Sequence, residues 1–136
     1  MGQDLTGCDV LDAFGGSGLL GLEAWSRGAQ VCIVERDRRA VRSIRANASG
    51  LGAEVDILHG DVLGMVGRLV PVDVVLADPP YAMDPEPIVA QLAPLVKRQL
   101  VLETDKEASV PAQVGGLVLG KSRNYGGTRL CIFERG

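Results

Sequence analysis

The sequence predicts an α/β fold: a mostly parallel sheet of seven strands, helices on both faces, and an antiparallel hairpin at the C-terminus. Three observations carry this. Short apolar runs alternate with amphipathic stretches through most of the chain. Runs such as "QVCIVE" are apolar without alternation, as expected of strands covered on both faces. The final two runs flank "RNYGG" with no helix between them, so they fold back on each other.

The elements follow in order. "CDVLDAF" is the first strand, and "LLGLEAWSRG" is a helix stopped at Gly28. "QVCIVE" is the second strand. In "DRRAVRSIRANASGLG" the residues Ala40, Val41, Ile44 and Ala48 share one helical face and arginines fill the other. Asp37 is placed to cap its start, and Gly50 or Gly52 its end. "AEVDILHGD" is the third strand and "VLGMVGRLV" reads as a short helix. "VDVVLAD" is the fourth strand. "PEPIVAQLAPLV" is a helix with Pro87 in its first turn and Pro94 bending or ending it. "QLVLET" is the fifth strand, and "GGLVLGKSRNYGGTRLCIFER" holds the hairpin.

At 136 residues the chain is expected to form one domain, spanning 1–136. Apolar residues make up 46% and charged residues 23%, so a globular core is expected rather than disorder. No apolar stretch approaches the roughly 20 residues that a membrane span needs. Cys8, Cys32 and Cys131 are odd in number and sit beside apolar residues, which suggests reduced, buried thiols in a cytoplasmic protein. With one histidine and no ligand-spaced cysteine pair, no metal is expected. The net charge of −3 excludes attachment to nucleic acid by bulk charge. Local basic faces remain: Arg38, Arg42 and Arg45 on one helix, and Lys121, Arg123 and Arg129 near the C-terminus. Each reads equally as a contact surface or as solvated helix face and protective edge charge.

The chemistry concentrates at strand ends. In "VLDAFGGSGLLGLEA", Gly16, Gly18 and Gly21 satisfy G-x-G-x-x-G between a strand and a helix, and Glu35 closes the next strand. Alone this is a dinucleotide fingerprint, with Glu35 on the ribose hydroxyls. Asp12, at the end of the first strand, shifts the balance. A carboxylate there would repel a pyrophosphate but could hold the amine of S-adenosylmethionine or a bridging water. In "LHGDV", Asp61 could accept from the adenine amine with Val62 against the ring, or simply cap the next helix. Sheet topology gathers such strand ends around one crevice.

Asp78 closes the fourth strand in "DVVLADPPY". Pro79 and Pro80 hold the segment extended and donate no N–H, so it is stiff and rich in acceptors. The lone pair of a base amine is delocalised into the ring. Two acceptors gripping its hydrogens can turn that lone pair toward an electrophilic methyl group. Tyr81 offers a stacking face.

"DAFGGSGLLGLEAWSRGA", "VERDRRAV", "HGDV", "DVVLADPPY" and "NYGGTRL" together resemble the RsmD family over nearly the whole chain. Those enzymes methylate the exocyclic amine of a guanine in bacterial small-subunit (16S) ribosomal RNA. The resemblance implies a Rossmann-like S-adenosylmethionine-dependent methyltransferase fold and a cytoplasmic enzyme of rRNA processing. It implies a cofactor loop of Asp12, Phe14, Gly15, Gly16, Ser17 and Gly18, with Glu35 and Arg36 at the ribose and Asp61 and Val62 at the adenine. Asp78, Pro79, Pro80 and Tyr81 take the target amine, and Arg123 and Tyr125 lie in the hairpin that borders RNA. The expected partner is ribosomal RNA, within a small-subunit particle, and no membrane. Family members usually carry a basic N-terminal extension that helps bind RNA; here the first strand begins almost at once. Three other readings stand beside this one. They are adenine-amine methylation in DNA or RNA, a nicotinamide oxidoreductase that leaves "DPPY" unexplained, and a cofactor-binding core without substrate docking.

Overall fold

A computed structural model describes residues 4–80 and 83–136. Its strands form one eight-stranded sheet in the order β3-β2-β1-β4-β5-β8-β7-β6. The strands are β1 (Asp9–Asp12), β2 (Gln30–Glu35), β3 (Asp56–His59), β4 (Val72–Ala77), β5 (Val96–Asp105), β6 (Gln113–Val114), β7 (Leu117–Tyr125) and β8 (Thr128–Arg135). β1 to β5 are parallel, and β8, β7 and β6 pair antiparallel beyond β5. The expected architecture holds, with one strand more than the seven read from sequence. The addition is β6, two residues that pair with Val118 and Leu117.

The sheet is covered on both sides because its strands are apolar on both sides. Val10, Ile33 and Leu76 point one way, into a core with Ala24 of α1 (Leu19–Ser26) and Ile44 of α2 (Arg38–Leu51). Leu11, Val34, Val75 and Ala77 point the other way and meet Ile88, Val89 and Leu92 of α3 (Pro85–Leu92). Side chains one residue apart thus serve opposite cores, as the strand period of two requires. Asp37 caps α2 by accepting from the Arg39 amide at 2.9 Å, and Gly52 ends it in the left-handed region.

Two expectations needed correction. "VLGMVGRLV" is not an α-helix but two 3₁₀ turns, Val62–Gly64 and Val66–Arg68. Gly64 and Gly67 lie in it, and glycine is a poor helix former. Of the three free cysteines only Cys131 is fully buried; Cys8 and Cys32 are half-buried. Among the described residues no helix is long and apolar enough to cross a membrane.

β1 feeds outward through β2 to β3, and the chain then returns to place β4 on β1's other side. The order therefore reverses between β1 and β4. In open α/β sheets ligands bind beyond the carboxyl ends of the strands at such a reversal.

Candidate active site

A crevice of about 380 Å³ lies at that reversal. Phe14 and Gly16 from the loop after β1, Glu35 and Arg36 from the end of β2, Asp61 and Val62 after β3, and Asp78, Pro79 and Pro80 after β4 all line it. The volume is that of a small-molecule site, and mostly apolar walls carry a few polar groups. Met83, Gly60 and Leu63 also line it, and sequence reasoning missed them. Gly60 and Leu63 could have been found as the immediate neighbours of "DV". Tyr81 lies outside the described residues.

Glu35 is held by two backbone donors. Its Oε1 accepts from the Gly16 amide at 2.7 Å and its Oε2 from the Asp37 amide at 2.7 Å. The carboxylate is thus fixed in place and ties the glycine loop to β2. A carboxylate offers about four acceptor positions, so the two left over suit a vicinal diol. Asp61 accepts from the Leu63 amide at 3.2 Å and also lines the crevice, so capping and lining coincide in one side chain. His59 Nε2 lies 3.0 Å from the Arg36 carbonyl and braces that corner.

The loop that follows β1 divides in two. Gly16 (φ 61°) faces the crevice in a conformation that side chains rarely adopt. Asp12, Gly15, Ser17 and Gly18 do not line it. Asp12, expected to hold the cofactor's amine or a bridging water, is 2% exposed, and its carboxylate accepts from the amides of Gly21, at 3.1 Å, and Phe14. It joins β1 to the start of α1. Burial, the largest influence, pushes its pKa up to about 7 against those two donors, and the charges of Asp78 and Glu35 add to the rise. Gly15 packs against Glu35, Ile33 and Ile44, Gly18 against Ile44, and Ser17 Oγ accepts from the Leu19 amide at 3.3 Å. These positions shape the loop from behind.

A second, smaller cavity of about 160 Å³ shares Asp78, Pro79, Pro80 and Met83 with the first. Its far side is Glu103, Thr104 and Asp105 of β5 and Thr128 of β8. Sequence reasoning missed Glu103. It stands beside Asp78, whose pKa is raised first by burial and then by the Glu103 charge and hydrogen bond. The Tyr125 hydroxyl donates to Glu103 Oε1 at 3.2 Å, bringing the hairpin to the site. Among the described residues no group of three His, Cys, Asp or Glu side chains is placed to hold a metal ion.

The exposed arginines Arg38, Arg42 and Arg45 project from α2, and Lys121 and Arg123 are exposed on β7 while Arg129 is half-buried. Arg129 donates to Ser122 Oγ at 2.7 Å.

The sheet order and the glycine loop after its first strand are those of the S-adenosylmethionine-dependent methyltransferase fold. The same architecture occurs in magnesium protoporphyrin IX methyltransferase from Synechocystis PCC 6803, solved with S-adenosylmethionine bound. That structure superposes with a TM-score of 0.78 at 19% identity, covering 98% of this chain and 72% of the other. The chain belongs to the family described as Conserved hypothetical protein 95, which matches residues 1–134. It is 30% identical to the Bacillus subtilis protein named "Putative rRNA methyltransferase YlbH", over 92% of this chain and 74% of that one. It is 31% identical to the Ribosomal RNA small subunit methyltransferase A of Paracoccus denitrificans, covering 87% of this chain but 45% of the relative. A conserved hypothetical protein from Streptococcus pyogenes superposes with a TM-score of 0.87 at 32% identity, over 96% and 88% of the two chains. Fold and family together make this chain a methyltransferase.

Proposed function

We propose that this protein transfers the methyl group of S-adenosylmethionine to the exocyclic amine of a guanine in small-subunit ribosomal RNA. The rRNA methyltransferase names of its relatives support the substrate class. The guanine amine and the small-subunit particle rest on the family resemblance and on the second cavity. The observation that carries the reading is the shared wall. Asp78, Pro79 and Pro80 face the crevice on one side and a pocket lined by acceptors on the other. A donor held in the first and an amine in the second would meet at this wall.

In the first cavity Glu35 accepts from the ribose hydroxyls, Arg36 lies beside it, and Asp61 and Val62 receive the adenine. Phe14 and Gly16 close the loop side, while Asp12 acts at one remove by holding the amides of Phe14 and Gly21. S-adenosylmethionine supplies a methyl group on a sulfonium, whose departing sulfur keeps the bonding pair. In the second cavity the Asp78 carboxylate and the Pro79 carbonyl accept the two amine hydrogens and free the nitrogen lone pair to form the new N–C bond. The nitrogen then sheds one proton to Asp78. A raised pKa makes Asp78 a better proton acceptor than an ordinary aspartate. Tyr81 is assigned the stacking face for the base. The cytoplasm is the compartment of this reading, and the free thiols Cys8 and Cys32 support it.

The test is labelled-methyl transfer to unmodified small ribosomal subunits, protein-free ribosomal RNA and duplex DNA, with Asp78→Ala alongside. Label on a guanine amine, lost in the variant while S-adenosylhomocysteine still binds, is expected. Label on adenine would replace guanine as the target. Cofactor binding without label anywhere would reduce the chain to a core that does not dock its substrate.

A further inference from the structure

β4 and β5 end at different heights. Their last paired residues are Ala77 and Leu102, yet β5 continues to Asp105. Beyond Leu102, β5 pairs only with β8, through Glu103–Leu130, Thr104–Arg129 and Asp105–Thr128. The vacated place beside β5 is the second cavity, and Asp78 and Glu103 open into it from equal positions, each one residue past the last pair. Glu103 is half-buried and is oriented by the Tyr125 hydroxyl at 3.2 Å. The two carboxyl groups line the same small cavity, and the Glu103 charge acts on Asp78. Among the described residues no salt bridge reaches either carboxyl group, and the nearby Arg123 charge acts on Tyr125.

Two carboxylates side by side are a poor match for most base edges. The amine of adenine neighbours N1, which presents a lone pair. The amine of guanine neighbours N1–H, so these two adjacent positions are both donors, with the O6 acceptor beyond them. An adenine amine gripped by Asp78 would press its N1 lone pair toward Glu103, and like partial charges would repel. A guanine in the same place would bond at both positions.

We propose that Glu103 is the residue that selects guanine: its carboxylate accepts the N1–H of the target base while Asp78 and the Pro79 carbonyl take the adjoining amine. Tyr125 is a positioning residue that holds Glu103 from the hairpin. The assignment rests on the guanine-amine reading above and adds to it the group that distinguishes the base.

The test uses 2-aminopurine, which keeps the 2-amine of guanine but carries a lone pair at N1. The methylated guanosine is located in unmodified small subunits and then replaced by 2-aminopurine through splinted ligation into the ribosomal RNA. The full chain is expected to favour guanine by about 10- to 100-fold in kcat/KM, the range for one well-made base-edge contact. Glu103→Gln preserves size and the acceptor for Tyr125, but its amide can also donate to a lone pair at N1. It should lose activity on guanine and bring the two substrates within about 3-fold of each other, or invert the preference. A purely structural role for Glu103 would lower both rates together and leave the ratio as in the wild type; that result overturns the assignment. Wild-type transfer that misses guanine altogether overturns the functional reading itself, and the two failures are distinguishable in one experiment.

Discussion

Glu35 shows how much one side chain can be asked to do. Its carboxylate fastens the glycine loop through Gly16, starts the turn into α2 through Asp37, and faces the crevice with its remaining lone pairs. Replacing Glu35 with alanine should weaken S-adenosylhomocysteine binding by about 1–3 kcal/mol, the value of a charged hydrogen bond, and loosen the loop besides. Calorimetric titration checks this; an unaltered dissociation constant would place the ribose elsewhere. At this scale the strand-end acids were legible in sequence because each stands at or just beyond the end of an apolar run: Asp12, Glu35 and Asp78 close one, and Asp61 follows "DILHG". Two things were not legible. Asp12 is 2% exposed, and its carboxylate accepts from the amides of Phe14 and Gly21. Glu103 lies inside β5 rather than at its end, because β8 supports the strand for three residues past its partnership with β4. Strand length set by an antiparallel neighbour far along the chain leaves no local mark.

Among the elements, α1 meets the sheet at Gly21. A β-carbon there would lie 2.7 Å from Ile33 Cγ1 and 2.8 Å from its Cδ1, with Ile33 fully buried. Gly21→Ala should destabilise the fold by about 1–2 kcal/mol despite alanine's better helix propensity, because overpacking costs more than the propensity returns. Urea unfolding reads the difference, and a stabilised variant would mean that Ile33 can repack. The third glycine of the motif was therefore recognisable from spacing, and its role is close helix–strand packing. The long amphipathic α2 and the uniformly apolar β2 were legible for the same reason: their patterns repeat over many residues. β6 was not. A two-residue strand owes its existence to its partner on β7 and carries no periodicity of its own. The hairpin is secured by Arg135, which donates to the Ala93 carbonyl, to Val96 at 2.8 Å and to Gly115 at 2.7 Å. Those carbonyls belong to a turn and a strand start distant in sequence, so the clasp is visible only once the chain is folded.

For the molecule as a whole, Asp12 couples stability to acidity. Its pKa is raised from 3.8 to about 7, so the folded state favours the neutral acid. The stability it contributes is complete below its ordinary pKa and is lost as the pH rises through about 7. The shift corresponds to on the order of 4 kcal/mol across that window. Asp78 is displaced in the same direction and adds to the slope. Thermal unfolding measured from about pH 4 to pH 8 should show the wild type weakening with rising pH and Asp12→Asn markedly flatter. Parallel curves would show that Asp12 stays charged in the folded protein.

The wall formed by Asp78, Pro79 and Pro80 has a kinetic meaning as well. Because the two cavities adjoin at these residues, the proposed function lets cofactor and base approach from different sides. Spent cofactor can be exchanged while the nucleic acid remains seated, and a modified base can withdraw from a protein already recharged. Turnover then follows no compulsory sequence of arrivals and departures. On the proposed function, initial rates with cofactor and RNA both varied should therefore fit a random order of binding.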